Sequence, residues 1–573
     1  MKVDHKSFRV KRSARSHEGS VLCANASLKL SPIAALLALW ALSAVPATAA
    51  EIDTGVPELK VRWDNTIKYS TAQRLQDPSA ALITPDANTD DGDRNFARGM
   101  ISNRIDLLSE VDVTYRDMGF RVSAAGWYDD VYNHSNNHNS PLTASHTSAA
   151  YNQFTNATRD LMGNHTEILD AFVFGKFDLR GSDVSLRLGR QSLLYGESLF
   201  FGANGIAVAQ APIDIIKALA VPNTQFKELA RPVNQISGQI ALSPNLTIGG
   251  YYQLEWAPDR LPPVGSYFSF SDVVDVGGER IIAASVPGVG PVASFYRAPD
   301  PKAPDSGQGG VQIRYRSDSL GTDFGLYAAQ YHEKLPFVYV YPGRGVSPGS
   351  PADKIGEYAL VYPENIQLVG SSFSTTIGDA NVGGEISFRQ NMPLANTGSA
   401  VLPGMTANAN NNPLYAVGNS AHAQFSMINV LSANALWPTA SLVAEIAWNR
   451  LLSISKNPAA LDPNATRDAS AVRFILEPSY YQVLPGLDIT VPLGVGYGLN
   501  GNSAVVQGFG VKDGGDMSLG LTGEYLKVWK FTANYTHYFG TPGSLNEPVP
   551  GPLSYKQTLA DRDFLSLSIS RTF

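Results

Sequence analysis

Residues 59–70 read Leu-Lys-Val-Arg-Trp-Asp-Asn-Thr-Ile-Lys-Tyr-Ser, a stretch in which apolar and polar side chains alternate. Successive side chains of a β-strand point to opposite faces of the sheet. The stretch therefore predicts a strand with one apolar face and one charged face. Two further runs with the same period follow at residues 102–115 and 119–130.

Segments of this kind recur along the whole chain. We predict eighteen strands, at residues 59–70, 102–115, 119–130, 168–179, 182–192, 235–242, 246–256, 309–317, 321–333, 366–377, 381–389, 422–432, 441–450, 471–484, 487–497, 516–526, 530–539 and 562–573. Pro478 and Pro492 fall inside two of these segments, where each marks either a bulge or a misplaced boundary, because proline cannot donate to the ladder.

The connections between the segments alternate between tight turns, such as Arg180-Gly181, and long stretches rich in Gly, Pro, Asn and Ser. An even number of strands with this alternation is typical of bacterial outer-membrane barrels. We predict an all-β fold, a transmembrane antiparallel up-and-down β-barrel of about 18 strands. Its short turns and both termini would be periplasmic, and its long loops extracellular.

The first fifty residues differ from the rest of the chain. Basic residues precede an uncharged apolar run at residues 33–45, which is too short to span a membrane as a helix. The small residues Ala47-Thr48-Ala49-Ala50 follow. We predict a signal peptide at 1–50, cleaved after Ala49 or Ala50, and a barrel domain at 51–573.

Composition narrows the partners of the chain. It has 44 basic and 51 acidic side chains, and loss of the basic N-terminal segment would leave it more acidic, which argues against nucleic acid. The single cysteine, Cys23, lies within the predicted signal peptide. The chain ends on an alternating strand closed by Phe573, which is similar to the signal that the outer-membrane assembly machinery reads.

Several stretches resemble a broad family of bacterial outer-membrane proteins known as a domain of unknown function. They lie at residues 90–96, 102–104, 188–191, 195–198, 362–366, 372–376, 384–389 and 484–487, and so cover nearly the whole predicted barrel. The resemblance implies a porin-like barrel and a periplasmic or exporter partner, often of the resistance-nodulation type. It also implies pathways that handle hydrophobic compounds, without naming a solute or a functional residue.

A barrel of this size encloses more space than its inward side chains fill. By alternation, the predicted inward and channel-lining residues are Lys60, Arg62, Asp64, Arg104, Asp106, Glu110, Asp112, Arg121, Arg187, Arg314, Glu385 and Arg389, with Glu445 and Glu524 on the same face. Both signs of charge are present. The set is either a pore wall that sorts solutes or a ladder of ion pairs that stiffens the barrel.

The connection at residues 193–234 is too apolar for a solvated loop. We predict that it folds into the lumen as a constriction or plug, the alternative being packing among the outer loops. The candidate constriction residues are Pro212, Asp214, Lys217, Phe226 and Glu228.

Metal and cofactor signals are weak. An acidic run that includes Asp86, Asn88, Asp90, Asp91 and Asp93 departs from the calcium-loop pattern, because Gly92 comes one place late and Ala97 stands at the glutamate position. A flexible acidic loop is the better interpretation. His134, His138, His146 and His165 are expected to be solvated loop residues. We predict no metal and no cofactor.

Three functions remain open. The leading hypothesis is an outer-membrane channel or facilitated-diffusion porin for small solutes, hydrophobic ones included. The second is a closed barrel that acts as scaffold or receptor for a periplasmic partner, or in adhesion. The third is an outer-membrane hydrolase, although no motif of a catalytic nucleophile or metalloprotease occurs, and we predict that the chain is not an enzyme.

Overall fold

The computed structural model describes residues 50–396, 398–547 and 551–573. The predicted signal peptide lies outside the described residues, except for its last residue, so its cleavage stays a prediction. The described strands are β1 (Ala50–Ile52), β2 (Leu59–Arg74), β3 (Gly99–Tyr115), β4 (Met118–Asp129), β5 (Asn164–Leu179), β6 (Ser182–Gln191), β7 (Val233–Ser243), β8 (Leu246–Gln253), β9 (Arg280–Val286), β10 (Gly290–Arg297), β11 (Gly309–Ser317), β12 (Thr322–Tyr331), β13 (Phe337–Pro342), β14 (Lys354–Val361), β15 (Ile366–Ile377), β16 (Ala380–Pro393), β17 (Ser399–Ala400), β18 (Val417–Leu431), β19 (Thr439–Lys456), β20 (Asp468–Leu484), β21 (Leu487–Thr490), β22 (Leu493–Asn500), β23 (Gly515–Tyr525), β24 (Trp529–Phe539) and β25 (Phe564–Thr572).

Helical elements are short and lie in the connections. They are α1 (Ala80–Ile83), α2 (Asp91–Arg94), α3 (Asn156–Thr158), α4 (Ile215–Ala220) and α5 (Phe226–Leu229), with 3-10 turns at Val131–Asn133, Ile206–Ala209 and Pro458–Ala460 and a π-helical turn at Arg159–Gly163. Among the described residues, none of these helices is long and apolar enough to cross a membrane.

One large antiparallel sheet closes on itself. β2 pairs with β3 along its length and with β25 from Thr66, opposite Thr572, to Arg74, opposite Phe564. Between them run β4 to β8, β11, β12, β15, β16, β18 to β20, β21 with β22, β23 and β24, each paired with its neighbours in the ring. Because β21 and β22 form one interrupted strand, the ring has eighteen strands, and the predicted fold class is confirmed.

The two faces of the barrel wall differ in polarity. On β16, Glu385 and Arg389 are buried, whereas Ile386 and Phe388 between them are 43% and 47% exposed. The same alternation recurs around the ring, so the outer surface is an apolar band and the inner surface is polar. This polarity is inverted relative to a soluble sheet, and it identifies a membrane-spanning barrel.

The two ends of the barrel also differ. At one end the strands are joined by tight turns, and we call it the short-turn end; at the other, the long-loop end, the connections are long. The first residue of β2, Leu59, pairs with Tyr115 beside a tight turn. Arg571 near the end of β25 pairs with Trp529, also beside a tight turn. The barrel therefore begins and ends at its short-turn end.

Three of the long connections contribute to a second sheet that the sequence analysis assigned to loops. Its five strands are ordered β17-β13-β14-β10-β9, and that part of the prediction was wrong. β14 shows why: Tyr358, Ala359, Leu360 and Val361 are all buried. A strand covered on both faces has no apolar–polar alternation, so the period-two signal is missing.

Proline affects two neighbouring strands near the short-turn end. Pro478 lies within β20, and the pairing of β20 with β21 becomes irregular between Tyr480 and Leu484. Pro492 separates β21 from β22 and so interrupts the strand predicted at residues 487–497. Proline has no N–H for the ladder, but its carbonyl still accepts a hydrogen bond from the N–H of Gly520 at 2.8 Å.

Parts of the acidic and histidine-rich loops are buried, contrary to the interpretation as solvated, flexible segments, although His134 is exposed as expected and His165 lies on β5. His138 and His146 are 4% and 7% exposed, and Asp90, Asp91 and Asp93 are 1% exposed or less. The reason is that Asp91 binds both histidines, with 2.9 Å between its Oδ1 and Nε2 of His138 and 3.6 Å between its Oδ2 and Nδ1 of His146. Sequence spacing does not reveal this packing, because the partners lie in different connections.

Leu519→Arg tests the assignment of the outer face. Leu519 is 51% exposed at the middle of β23, and an arginine placed there would enter the hydrocarbon. We expect the free energy of unfolding, measured by denaturant titration in liposomes, to fall by about 2–4 kcal/mol. The control is Thr532→Arg on the inner face of β24, for which we expect a clearly smaller loss. Equal losses would contradict the assignment.

Candidate functional site

The connection between β6 and β7 comprises residues 192–232, and we call it the lumen segment. Its first half is bound by inward-facing side chains of β16, β18 and β19. These strands lie six to eight places from β6 around the ring of eighteen. The lumen segment therefore crosses the interior of the barrel instead of returning directly to β7.

Two carboxylates of the barrel wall bind backbone N–H groups of the lumen segment. Glu385 on β16 accepts hydrogen bonds from the N–H groups of Glu197 and Ile206, both at 2.8 Å. Glu445 on β19 accepts them from Leu199, Phe200 and Phe201, at 3.2, 2.5 and 2.9 Å, and from the hydroxyl of Ser198 at 3.2 Å. Hydrogen bonds from several N–H groups stabilise a buried carboxylate.

A guanidinium group on β16 binds backbone carbonyl groups in the same part of the lumen segment. Arg389 donates hydrogen bonds to the carbonyls of Ala203, Asn204 and Gly205, at 3.1, 2.6 and 2.9 Å. The amide of Asn204 lies 3.1 Å from Nδ1 of His422 on β18 and accepts a hydrogen bond from Asn449 on β19 at 3.2 Å. Residues 197–206 are thus fixed to one wall of the lumen through both their N–H and their C=O groups.

Glycine allows the close approach of the lumen segment to the wall. A Cβ atom at Gly205 would collide with the carboxylate of Glu385, and one at Gly196 would collide with the same group. Gly196 also has φ +94°, a backbone conformation that favours glycine.

Apolar packing completes the attachment. Ile206 and Ala209 are fully buried against a group of tyrosines on the wall, and the hydroxyl of Tyr251 donates a hydrogen bond to the carbonyl of Ala209 at 3.1 Å. The wall tyrosines are Tyr251, Tyr327 and Tyr331, and Tyr195 of the lumen segment itself packs with them. In the returning half, Phe226 covers Gly202, and its N–H donates to the carbonyl of Leu199 at 2.7 Å.

The five candidate constriction residues lie in this returning half. Pro212 and Phe226 are buried, whereas Lys217 and Glu228 are exposed. Asp214 caps α4 through the N–H of Lys217 at 2.9 Å and forms an ion pair with Arg260 at 3.0 Å. The ammonium group of Lys217 donates to the carbonyl of Glu228 at 2.9 Å within this half, and Asn223 accepts a hydrogen bond from the hydroxyl of Ser518 on β23 at 3.1 Å. Ile216 and Leu219 pack against a buried group that includes Phe564 of β25, so this half contacts a different part of the wall from residues 197–206.

The sequence analysis missed residues 197–206 as the attached part. Glu385 and Arg389 were placed on the inner face, but nothing in the pattern showed that a distant turn would meet them. The usable signal was the glycine spacing at Gly196, Gly202 and Gly205, next to the motif at residues 195–198. Several glycines in a non-turn stretch indicate a close backbone approach.

Two further connections also bind the lumen segment. Asp259 accepts a hydrogen bond from the N–H of Ile213 at 2.8 Å, and the ammonium group of Lys334 donates to the carbonyl of Val208 at 2.9 Å. Both side chains are buried. Burial raises the pKa of Asp259 to about 7, and burial lowers the pKa of Lys334. Buried polar atoms are thereby paired with backbone groups at the long-loop end.

The wall opposite residues 197–206 carries half-buried charges. β4 lies nine strands from β18, which is halfway around the ring. Arg121 on β4 pairs with Glu110, with Asp112 at 3.3 Å and with Asp170 at 3.4 Å, and its side chain is 33% exposed. This side of the lumen is polar and accessible to solvent.

Most of the other predicted lining residues also form pairs. Arg62 pairs with Asp64 and Arg104 with Asp106, both at 2.6 Å. Arg314 lies 3.5 Å from Glu197 of the lumen segment. Arg187 lies over the ring of Phe172, 5.7 Å from its centre. Among the described residues, Lys60 has no ion pair within 4.0 Å.

One row of side chains continues around part of the inner wall. Cross-strand pairing places Glu524 beside Lys530, Lys530 beside Ser570, Ser570 beside Lys68 and Lys68 beside Asp106. The row spans β23, β24, β25, β2 and β3 with charges of both signs. Mixed signs make a hydrated wall and favour neither cations nor anions strongly.

Glu445→Ala tests the attachment of the lumen segment. The change removes the acceptor of three backbone N–H groups, and each unpaired buried donor costs about 1–3 kcal/mol. We expect trypsin to cleave after Lys217 and Lys227 at least ~10-fold faster than in the wild type, equivalent to about 1.4 kcal/mol. Glu524→Ala is the control, since this inner-face carboxylate is exposed. Unchanged cleavage in Glu445→Ala would show that the carboxylate does not hold the segment.

Several solved barrels are similar to this chain at low identity. Acinetobacter baumannii OccAB4 has 10% identity and a TM-score of 0.41, covering 90% of this chain and 98% of that chain. Pseudomonas aeruginosa OpdK with vanillate has 10% identity and a TM-score of 0.37, with the same coverage. The A. baumannii outer membrane channel DcaP has 8% identity and a TM-score of 0.36, and the match covers 92% of this chain and 100% of that chain. At such TM-scores the likeness carries no argument about the lumen or its solute.

The sequence comparisons give the family. No curated protein matches the chain at a significant level. One family model matches residues 31–573, nearly the whole sequence, and confirms the resemblance seen in the motifs. The chain belongs to the family described as protein of unknown function (DUF1302).

Proposed function

We propose that this protein is a channel of the bacterial outer membrane, through which small solutes diffuse along a polar lumen that the lumen segment narrows. The short-turn end, with both ends of the barrel sheet, would face the periplasm, and the long connections would face outward. The membrane lipid contacts the apolar band, and the solute passes inside.

The attachment of the lumen segment to one wall carries the proposal. Residues 197–206 are fixed to β16, β18 and β19, whereas the charged side chains around Arg121 on the opposite wall stay partly exposed to solvent. An eighteen-stranded barrel is wider than its side chains fill. The lumen segment therefore reduces the cross-section, and the passage would run beside the partly exposed charges around Arg121.

Apolar surface inside the lumen favours solutes with a hydrophobic part. The N–H groups of Phe200 and Phe201 point to Glu445, while their side chains stay partly exposed. The ring of Phe201 lies 5.6 Å from that of Phe509. Partly exposed aromatic rings in a polar lumen would let an amphipathic solute contact both apolar and charged surfaces on its way through.

The family resemblance adds a partner to the proposal. A periplasmic or exporter protein docked at the short-turn end would receive or deliver the solute. Removing the gene for such a neighbour would then lower uptake or efflux without changing the conductance of the isolated barrel.

Deleting residues 206–231 tests whether the lumen segment narrows the passage through the barrel. We expect the intact protein, purified from membranes, to give discrete conductance steps in planar bilayers. The deletion should enlarge the steps, because it removes the returning half of the lumen segment from the cross-section. Deletion of residues 345–350 is the control, since this exposed tip joins β13 to β14 outside the barrel ring.

Each outcome of this measurement decides between functions. Equal steps in the intact protein and in the 206–231 deletion would overturn the narrowing role. Silence in the intact protein with steps in the deletion would mean a plugged barrel that opens on a signal. Silence in both would overturn the channel and favour the scaffold or receptor function.

Arg121→Ala tests whether the exposed wall lines the passage. The change leaves the carboxylates of Glu110, Asp112 and Asp170 without their shared cation. We expect the ratio of potassium to chloride permeability, from reversal potentials, to rise roughly twofold or more. Arg344→Ala, between β13 and β14, is the control and should leave the ratio unchanged. No difference between the two variants would place the passage elsewhere.

A further inference from the structure

Three long connections of the barrel meet at a group of buried acidic side chains. Asp90 and Asp91 lie between β2 and β3, and Asp272 lies between β8 and β11. The third connection, between β4 and β5, supplies His138 and Ser145, which bind Asp91. All three carboxylates are 1% exposed or less. The site belongs to the long-loop end and is separate from the lumen segment.

The spacing of the three carboxylates fits a single cation. One oxygen from each of Asp90, Asp91 and Asp272 lies within 4.8 Å of the other two. Calcium binds oxygens at about 2.3–2.6 Å, so that oxygens around one ion lie within about 5 Å of one another. Carboxylate oxygens are also the ligands that hard divalent cations prefer.

Two of these carboxylates have one oxygen that accepts no hydrogen bond from the described residues. Oδ2 of Asp272 accepts the N–H of Asp91 at 3.0 Å, and Oδ2 of Asp90 pairs with Arg94. Oδ1 of each is buried and receives no hydrogen bond from any described residue. Buried polar oxygens in folded proteins nearly always have a partner. Two such atoms within one acidic group therefore point to a bound positive ligand.

The charges around the group are not balanced by the protein. Asp90 has Arg94, and Asp91 has His138 and His146, but Asp272 has no ion-pair partner among the described residues. Burying several carboxylates is costly unless a cation compensates them.

We propose that Asp90, Asp91 and Asp272 bind one hard divalent cation, calcium in the first place, which links the connections β2–β3 and β8–β11. His138 and Ser145 orient the Asp91 carboxylate through hydrogen bonds at 2.9 Å each, so the third connection is coupled to the ion indirectly. The ligand set differs from the calcium-loop pattern tested in the sequence, because Asp272 comes from a distant connection. The proposal replaces the expectation of no metal.

Gly92 shows how closely the connections β2–β3 and β8–β11 are packed. A Cβ atom at this position would lie 2.5 Å from the carbonyl oxygen of Ser269 and 2.9 Å from that of Ser266. The backbone beside Asp91 therefore touches the stretch that leads to Asp272. A cation at the carboxylates would hold this contact against their mutual repulsion.

The test is a calcium titration of the full-length protein purified from membranes in detergent and stripped with chelator. Isothermal titration calorimetry with calcium chloride should show one site per chain. We expect Asp272→Asn to weaken calcium binding at least ~10-fold, because the variant loses one ligand charge. The matched control is Asp379→Asn in the exposed turn between β15 and β16, which should bind calcium like the wild type.

A protease assay gives a second readout that does not depend on calorimetry. Calcium should slow tryptic cleavage after Arg98 and Arg159 in the wild type and in Asp379→Asn, but not in Asp272→Asn. If the carboxyls held protons instead of a cation, Asp272→Asn would protect these connections with or without calcium, and the proposal would fail.

The remaining outcomes are equally decisive. Absence of calcium, magnesium and manganese binding in the wild type, or equal binding in Asp272→Asn and in the control, would overturn the site. Binding of magnesium in place of calcium would support a hard-cation site and change only the ion. If Asp272→Asn lost the heat-modifiable gel migration of a folded barrel, Asp90→Asn would take its place with the same expected loss.

Discussion

Within a bilayer, every backbone N–H and C=O group of the chain has to find its partner in the protein, since hydrocarbon offers none. The pairing of β2 with β25 meets that requirement, because it removes the two free edges that an open sheet would expose. Ring closure also sorts the side chains, since alternate residues point to lipid or to the interior. The polarity of the lumen and the attachment of the lumen segment both depend on this closure.

The polar interior allows an attachment that an apolar core would not. Glu385 and Arg389 lie four residues apart on the same face of β16. They bind the N–H and the C=O groups, respectively, of peptide units in residues 197–206. A carboxylate for N–H groups and a guanidinium for carbonyls together replace the backbone pairing that a strand would supply. The lumen segment is therefore ordered without being part of the sheet.

Sequence reasoning located the barrel strands because lipid on one side and a polar interior on the other impose a period of two. It failed where that contrast is absent, as in β14, where Tyr358 and Leu360 are buried together with the residues between and after them. Alternation placed Glu385, Glu445 and Glu524 on the same inner face, but it did not indicate which of them would contact another part of the chain. Glu385 and Glu445 meet the lumen segment, and only the folded chain shows that contact.

The attachment of the lumen segment has a consequence for the order of assembly. Glu197 and its acceptor Glu385 are separated by 188 residues, and Phe200 and Glu445 by 245. Contacts between such distant parts of a chain form late. When strands enter the membrane in sequence, residues 197–206 wait until β16 and β19 have arrived. The lumen segment then reaches its final position only after thirteen of the eighteen strands of the ring are in place.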